Sequence, residues 1–241
     1  MIRKSFVFLE GIGEKGEQNL WKQGIRDWND FLHRIKIQGL SGFRKHYYQQ
    51  QIEEAKKQLY QSNSGWFVGR LPPKENWRLY DFFRHDVVFL DIEADNSGVL
   101  LVGLFDGYET RFLFKNANLY PELLKQALQP YKLIITFNGS SFDLPRLEKQ
   151  FGINIRVPHI DLNHCCQRLG LKGGLKEIEE LLHLKRPSHL HGNVAGAWRA
   201  AFASGDDEYL QAILDYNAED IINLKPLMEH CYKELSRTLL T

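Results

Sequence analysis

Short apolar runs separated by turn residues occupy the middle of the chain, and they predict β-strands. Residues 87–90 form the most apolar of these runs, which leads directly into an Asp-x-Glu tripeptide. Residues 98–105 and 109–114 follow, joined by an Asp-Gly turn. This spacing predicts three antiparallel strands connected as a meander.

A fourth apolar run and the helical patterns around it complete a mixed α/β pattern. Residues 120–129 predict a helix with Pro121 in its first turn, where proline is well tolerated. Residues 132–137 predict a buried strand, and the Gly-Ser turn after it leads into a helix with Pro145 in its first turn. The order strand, strand, strand, helix, strand, helix predicts a mixed α/β sheet flanked by helices.

The rest of this region is predicted as short elements followed by one long helix. The long helix is expected to begin at Asp206 and to run to about Leu224, where Pro226 breaks or kinks it. The shorter predicted elements are a strand at 157–162, a helix at 163–169 and a helix from Gly173 to about Leu184. The inward stripe of the long helix has helical spacing and contains Leu210, Ile213, Leu214, Asn217, Ile221 and Leu224.

The first 85 residues show a different, mainly helical pattern. Residues 6–9 favour a strand over a helix, and a Gly-x-Gly turn follows them. Glycine and capping signals then predict helices at 14–23, 27–35 and 41–61, and a turn-rich connector at 71–78. We therefore set the boundary between the two regions at about residue 85.

The turn Gly11-Ile12-Gly13 resembles the second half of a helix-hairpin-helix motif. Such a turn exposes backbone amides to a phosphate without reading bases. Gly11, Gly13 and the neighbouring Lys15 are therefore candidate contacts to a nucleic-acid backbone. The alternative is a turn used only for packing, over a core of Leu20, Trp21, Ile25 and Trp28.

Charge divides the sequence into a basic front and an acidic body. Residues 1–85 contain 15 Lys and Arg against 9 Asp and Glu, a net charge of +6. Residues 86–241 contain 16 against 21, a net charge of −5. This asymmetry indicates that the front contacts a polyanion, the alternative being an uneven scatter of surface charge. We predict a basic helical region with its connector at 1–85 and an α/β domain at 86–241.

Composition limits the class of protein further. A length of 241 residues with 43% hydrophobic residues suits one large globular domain with a small appendage. The three cysteines form neither a disulfide framework nor a C-x-x-C site, which fits a reducing compartment. No apolar run approaches the roughly 18 residues that span a bilayer, and the N-terminal apolar segment is too short for a signal peptide. A cytoplasmic location without membrane association is expected.

Acidic residues stand at the ends of several predicted elements. Asp91 and Glu93 are two apart on a strand, so both carboxylates lie on one face. Their repulsion offers the fold nothing unless a cation lies between them, the alternative being a solvated strand end. Asp143 is expected at a helix start, where the dipole favours the ionised form or where it only caps. Tyr216 and Asp220 are four apart and share one helical face.

Histidines and cysteines are not predicted to bind metal. The tripeptide His164-Cys165-Cys166 has no partner ligands at zinc spacing. The tripeptide His189-Leu190-His191 is predicted to be a loop.

Taken in order, the acids resemble those of the DEDD exonuclease superfamily, in its tyrosine branch. That superfamily has Asp-x-Glu on its first strand, an aspartate at a strand-to-helix turn, and Tyr-x-x-x-Asp on a late helix. The matching residues are Asp91, Glu93, Asp143, Tyr216 and Asp220. Residues 71–80, 89–93, 136–143, 159–162 and 215–220 are also similar to the YprB-like predicted exonucleases. The resemblance covers nearly the whole chain, and it implies a ribonuclease H-like fold.

The same resemblance implies a site for two divalent ions, Mg²⁺ or Mn²⁺. In it Asp91 bridges the two ions, and Glu93 and Asp220 complete one of the two sites. Asp143 supports the other site, directly or through water, and Tyr216 orients the attacking water. Carboxylates suit such ions, which stabilise the charge that develops on the attacking and leaving oxygens of a phosphodiester.

Further candidate residues lie within the same motifs. Asp161 and His159 are second candidates, Asp161 either for indirect binding of metal or water or as a cap for the helix at 163. Candidate substrate contacts within 136–143 are Asn138, Ser141 and Phe142.

These expectations combine into one predicted function. The chain is predicted to be a metal-dependent 3′→5′ exonuclease that hydrolyses nucleic acid, with DNA favoured over RNA and single-stranded DNA as the first candidate. The alternatives are an RNA-directed or endonucleolytic nuclease, and a catalytically silent nucleic-acid-binding module. No cofactor beyond the divalent ions is expected, and the sequence gives no indication of the oligomeric state.

Overall fold

The strand β1 (Val87–Asp95) is the central element of the larger part of the molecule in the computed structural model. The structure describes residues 1–184 and 207–240. They group into two compact units, the first made of Met1–Arg84 with Arg156–Pro158. The second is made of His85–Ile155 with the described residues from His159 onward.

The N-terminal unit is helical, and its helices follow the capping signals in the sequence. Asp27 accepts hydrogen bonds from two backbone amides at the start of one helix, and Ser41 accepts one at the start of the next. Without these side-chain acceptors, amides in the first turn of each helix would lack a hydrogen-bond partner. The helices are α1 (Glu14–Lys22), α2 (Trp28–His33), α3 (Gly42–Tyr60) and α4 (Tyr80–Phe83), with 3₁₀-helices at Ile2–Lys4, Ser64–Phe67 and Pro73–Leu79.

One prediction for this unit was wrong, and the structure adds detail to another. Residues 6–9 form a buried turn rather than a strand, with the amide of Leu9 donating to the carbonyl of Phe6 at 3.0 Å. The amide of Phe6 donates to the Glu17 carboxylate at 2.6 Å, so its backbone partner is a side chain and not a neighbouring strand. The turn-rich connector predicted at 71–78 consists largely of the 3₁₀-helix Pro73–Leu79, in which Pro73 occupies the first helical position, where proline is compatible.

One buried cation in this unit is paired on two sides. Arg78 is fully buried, and its guanidinium lies 2.9 Å from a Glu17 oxygen and 2.6 Å from a Glu75 oxygen. Both glutamates are buried as well. Charges removed from water are tolerated when they are paired and hydrogen-bonded in this way.

The second unit is built on a five-stranded mixed sheet in the order β3-β2-β1-β4-β5. β2 (Gly98–Phe105) and β3 (Thr110–Phe114) continue from β1 as an antiparallel meander. β4 (Leu133–Thr136) and β5 (His159–Asp161) lie parallel to β1 on its other side. The predicted mixed α/β sheet flanked by helices is confirmed.

The parallel strands bring their carboxyl ends to one edge of the sheet. The four residues from Val87 to Leu90 are buried, as expected for the centre of a sheet covered on both faces. The last pair between β1 and β4 is Phe89 with Ile135, so the acidic end of β1 extends beyond that ladder. In open α/β sheets, this edge is where ligands bind.

Helices cover the sheet, and the longest of them packs on the acidic end of β1. Buried positions along it include Ile213, Asn217, Ile221 and Leu224, in agreement with the predicted stripe. This helix contacts β1 and β2. In the described part of this unit, the helices are α5 (Pro121–Leu128), α6 (Asp143–Phe151), α7 (Leu162–Arg168), α8 (Leu175–Leu181) and α9 (Asp207–Leu240).

Of the two outcomes predicted at Pro226, a break or a kink, the break near Leu224 was wrong. α9 continues through Pro226 to Leu240. Its buried positions also continue beyond the proline, at Leu227, Met228 and Cys231, so packing offsets the lost backbone hydrogen bond. The predicted start at Asp206 and the loop at 189–191 lie outside the described residues.

The cysteines are buried free thiols, and the sulfurs of Cys166 and Cys231 lie 3.7 Å apart. Over residues 1–184 and 207–240, no group of candidate metal ligands includes a cysteine. No helix in those residues is both long enough and apolar enough to cross a membrane.

Candidate metal centre

Three carboxylates from two elements meet at the edge of the sheet. One oxygen from each of Asp91, Glu93 and Asp220 lies within 4.8 Å of the other two. Asp91 and Glu93 share a face of β1 because side chains alternate along a strand. Asp220 reaches them from α9, which packs against β1. Asp220 is thereby joined to two acids that lie 127 and 129 positions before it in the sequence.

Asp143 joins the site through the backbone of β1 rather than through this close group. It is the first residue of α6, is 3% exposed, and accepts a hydrogen bond from the amide of Ile92 at 3.0 Å. Because Ile92 lies between Asp91 and Glu93, this bond fixes the segment that carries both. After burial, the charge of Asp143 is the largest of the effects that raise the pKa of Asp91.

Burial and mutual repulsion raise the pKa values of the carboxyl groups in this cluster. Burial, then the charges of Asp143, Glu93 and Asp220, raise the pKa of Asp91 well above its usual range. Burial and then the charge of Asp220 raise the pKa of Glu93 to about 7. Burial raises the pKa of Asp143 to about 6, although the amide of Ile92 acts in the opposite direction. Among the described residues, no ion pair offsets Asp91, Glu93 or Asp143.

The side chain of Asn217 is a part of the site that sequence reasoning assigned only to the core. Its amide nitrogen donates to Asp91 Oδ2 at 2.7 Å, and this amide lowers the pKa of both Asp91 and Glu93. Gly103 lies opposite Asp91 on β2, and a Cβ there would lie 1.8 Å from Asn217 Oδ1. A glycine inside a strand marks such close approaches, and this was the available sequence signal.

Tyr216 lies one helical turn before Asp220, and a lysine covers its ring. The Nζ atom of Lys176, on α8, is 4.8 Å from the ring centroid, within the range of a cation–π contact. The same charge lowers the pKa of Glu93, although burial and Asp220 outweigh it. Nothing in the sequence pattern of α8 indicated a role for Lys176.

Asp161 holds the turn that follows β4. Its carboxylate accepts hydrogen bonds from the backbone amides of Asn138 at 2.8 Å, Ser140 at 3.0 Å and Asn163 at 3.1 Å, and from the hydroxyl of Ser140. Asp161 thus caps α7, which was one of the two roles weighed for it. It also stabilises Asn138 in a left-handed conformation, with a φ of 63°. This turn leads directly into Asp143.

Thr136 and His159 support the same turn. The hydroxyl of Thr136 accepts from the amide of Gly139 at 3.0 Å and lies 2.9 Å from His159 Nε2. A Cβ at Gly139 would lie 2.2 Å from that hydroxyl oxygen, so only glycine fits. Burial lowers the pKa of His159 to about 4, which leaves the ring neutral at pH 7. His159 therefore lies beside the turn and outside the close group of carboxylates.

The other candidates in this motif border the acidic site. The hydroxyl of Ser141 donates to the backbone oxygen and to the side-chain oxygen of Asn138, both at 3.1 Å. Phe142 is 38% exposed immediately before Asp143, with the guanidinium of Arg146 4.2 Å from its ring centroid. An exposed aromatic ring of this kind offers a stacking surface for a nucleobase.

The three N-terminal candidates lie in the other unit. Gly11 has a φ of 75°, and Gly13 precedes α1 without a side-chain cap. A Cβ at Gly11 would lie 2.7 Å from Arg44 Nη2, so the turn lies close to a cation. Lys15 is exposed. Their contact with a phosphate stays a prediction.

The donor set fits a divalent cation of the Mg²⁺ or Mn²⁺ kind. Such ions prefer carboxylate oxygens, and three of them lie within 4.8 Å of one another. Burial and then the neighbouring carboxylates raise the pKa of Asp91 and Glu93, and an ion placed between them would offset the negative charge. Asp143 lies outside the close group, although its charge contributes to the raised pKa of Asp91.

A mixed α/β sheet whose central strand ends in clustered carboxylates defines a class of metal-dependent hydrolases that act on phosphodiesters. The chain belongs to the RNase H superfamily, because a sequence model of that superfamily matches residues 88–232, more than half of the chain. Neither the curated proteins nor the solved structures contain a match. Members of this superfamily are mostly hydrolytic nucleases that use divalent metals, so the domain is that of a metal-dependent nuclease with a nucleic-acid substrate.

Proposed function

We propose that the chain is a 3′→5′ exonuclease of the DEDD type, in the tyrosine branch and similar to the YprB-like proteins, with single-stranded DNA as substrate. The observation that carries this proposal is the meeting of Asp91, Glu93 and Asp220 within 4.8 Å. Two further observations support it. Asp143 accepts a hydrogen bond from the amide of Ile92, which lies between the two acids of β1, and Tyr216 lies one helical turn before Asp220. This is the order of acids and tyrosine that the tyrosine branch uses.

The carboxylates divide the work of holding two Mg²⁺ or Mn²⁺ ions. Asp91, on which the charges of all three other acids act, would contribute to both ion sites. Glu93 and Asp220 would complete one site, and Asp143 would support the other, directly or through water. When bound, the ions stabilise the negative charge that develops on the attacking and leaving oxygens.

Tyr216 orients the water that attacks the scissile phosphate. The Lys176 ammonium lies 4.8 Å from the centre of its ring, a cation–π contact that favours one position of the ring. A fixed hydroxyl beside the metal ligands can accept or donate a hydrogen bond to that water. Positioning of this kind, rather than proton removal, is the role we assign to Tyr216.

Substrate contacts come from the turn at the sheet edge and from the basic region. Phe142 stacks on a terminal base, while Asn138 and Ser141 contact the backbone beside it. The N-terminal region, residues 1–85, carries a net charge of +6 and grips the phosphodiester backbone. Gly11, Gly13 and Lys15 supply the amides and the cation for that contact.

A cleavage assay on 5′-labelled single-stranded DNA tests the proposal. With Mg²⁺ or Mn²⁺, a 3′→5′ exonuclease yields a descending ladder of labelled products, whereas the opposite polarity releases the labelled nucleotide at once. We expect Asp91→Asn and Asp220→Asn each to reduce the rate by more than about 100-fold, beyond the loss of an outer-shell partner. Glu229→Gln, an exposed change on the same helix, is the matched control and should cleave normally. Absence of any metal-dependent shortening would refute the proposal.

The alternatives predict different results in the same assay. Cleavage of a circular strand identifies an endonuclease, and faster shortening of a matched RNA identifies an RNA-directed enzyme. A catalytically silent binding module shows retention on DNA that weakens steeply with salt, without any turnover.

A further inference from the structure

A buried amide on α9 is directed at the central carboxylate of the site. Asn217 is fully buried, and its Nδ2 atom donates to Asp91 Oδ2 at 2.7 Å. A short bond from a neutral donor to a carboxylate is charge-assisted, and it restrains the carboxylate strongly. Asp143 holds the backbone of this end of β1 through the amide of Ile92, and Asn217 holds the side chain of Asp91.

The other end of the Asn217 amide fits against a residue without a side chain. Gly103 pairs with Asp91 across the β1–β2 ladder. A Cβ at position 103 would lie 1.8 Å from Asn217 Oδ1 and 2.9 Å from Asn217 Cγ. Both distances are below 3.0 Å, which real Cβ contacts essentially never reach, and the one to Oδ1 is far below it, so the amide occupies the space that glycine leaves free.

The orientation of the amide follows from its two ends. Asn217 Oδ1 is buried and has no hydrogen-bond partner within residues 1–184 and 207–240, a condition that costs free energy. The flipped amide would direct that oxygen at Asp91, placing two acceptors against each other. In the observed orientation the amide nitrogen donates to the Asp91 carboxylate, and Oδ1 is left without a donor among the described residues.

We propose that Asn217 is a positioning residue that holds Asp91 in the orientation needed to bind metal, and that Gly103 provides the space for it. The inference rests on the proposed function, in which Asp91 bridges the two ions. Asn217 does not touch the reacting atoms and acts only through Asp91. Outer-shell partners of metal ligands typically contribute 10- to 100-fold to metal affinity.

Binding of Mn²⁺, followed by electron paramagnetic resonance, measures this role without requiring cleavage. We expect Asn217→Leu and Asn217→Ala to weaken Mn²⁺ binding by about 10- to 100-fold. Asn217→Leu keeps the shape of the side chain, so its melting temperature should stay nearer to wild type than that of Asn217→Ala. Leu224→Ala, a buried truncation on the same helix, controls for lost stability and should keep wild-type affinity. Wild-type affinity in both Asn217 variants would overturn the proposal.

A double-mutant cycle with Gly103 tests the steric half of the proposal. Gly103→Ala places a methyl group against the amide, so we expect it to weaken Mn²⁺ binding in the wild-type background. In the Asn217→Ala background the clashing atoms are gone, and Gly103→Ala should change the affinity little. Equal effects in the two backgrounds would show that the two positions act independently, contrary to the proposal.

The result separates this inference from the proposed nuclease function. Wild type that binds Mn²⁺ but cleaves no nucleic acid refutes the exonuclease, while the Asn217 comparison keeps its meaning. Normal cleavage by wild type, with unchanged Mn²⁺ affinity in both Asn217 variants, refutes the role of Asn217 alone. In an active enzyme the variants should lower kcat at saturating DNA, because the site that Asn217 supports is the metal site and not the DNA-binding surface.

Discussion

Replacing Glu93 by glutamine should stabilise the metal-free protein, and only at high pH. Burial and the charge of Asp220 raise the pKa of Glu93 from 4.5 to about 7. Glutamine keeps the size of the side chain but removes the charge that burial and Asp220 disfavour. The substitution therefore separates the electrostatic cost of the site from its packing.

The size and sign of the effect follow from proton linkage. A carboxyl group with a raised pKa in the folded state contributes stability that is fully present below pH 4.5 and is lost as the pH rises through about 7. At 1.36 kcal/mol for each pKa unit, the loss attributable to Glu93 is about 3 kcal/mol. We therefore expect Glu93→Gln to exceed wild type by about 3 kcal/mol at pH 8 in the absence of metal, and to match it near pH 4.5.

Urea unfolding in EDTA between pH 4.5 and 8.5 measures this difference, since the other titrating groups are common to both proteins. Glu229→Gln makes the same chemical change at an exposed position of α9 and should track wild type at every pH. If the stability difference between Glu93→Gln and wild type does not grow with pH, the carboxylates do not repel one another as the structure indicates.

Other predictions concern the metal, the lysine over the tyrosine ring, and the turn after β4. Saturating Mn²⁺, at about 100 times its dissociation constant, should stabilise wild type against thermal unfolding by about 2.7 kcal/mol. The melting temperature of Asp220→Asn should rise much less, and a rise equal to that of wild type would contradict metal binding by Asp220. Lys176→Gln should lower kcat in steady-state cleavage about tenfold, with little change in melting temperature. Lys172→Gln, the same change at an exposed position, should leave kcat unchanged. Gly139→Ala places a methyl 2.2 Å from the Thr136 hydroxyl, so urea unfolding should show a loss of about 1–3 kcal/mol, and an unchanged midpoint would contradict the close contact.

Regular periodicity explains which parts of the site were predictable. Asp91 and Glu93 share a face because strands alternate, and Tyr216 and Asp220 share one because helices repeat every 3.6 residues. Both pairings need only local structure, which apolar patterning predicts well. The helix start at Asp143 was likewise predictable from the glycine–serine turn before it.

Contacts between distant segments were not predictable in the same way. Asn217 has the spacing of a core residue, and only the packing of α9 on β1 directs its amide at Asp91. Lys176 lies on a short helix whose own pattern says nothing about Tyr216. Gly103 interrupts an apolar strand, but the reason for a glycine there appears only when Asn217 is placed against it.

The wrong predictions share one physical cause, the dominance of packing over local rules. Pro226 removes one backbone hydrogen bond, yet buried residues on both sides of it keep α9 continuous. Residues 6–9 have the apolar content of a strand, but in a turn the same side chains are buried from all sides. Local propensity is a weak prior when tertiary burial opposes it.

The treatment of buried charge differs between the two units, and the difference argues that the acidic cluster is functional. In the N-terminal unit, the buried Glu17 and Glu75 are both paired with Arg78. In the second unit, no ion pair among the described residues offsets Asp91 or Glu93. Burial and then the neighbouring carboxylates raise the pKa of each, although the amide of Asn217 acts in the opposite direction. A chain able to pair buried carboxylates with arginine has no structural reason to gather unpaired ones. Protons or a cation can offset the repulsion between these carboxylates. At neutral pH, a divalent cation is the partner that oxygen ligands favour.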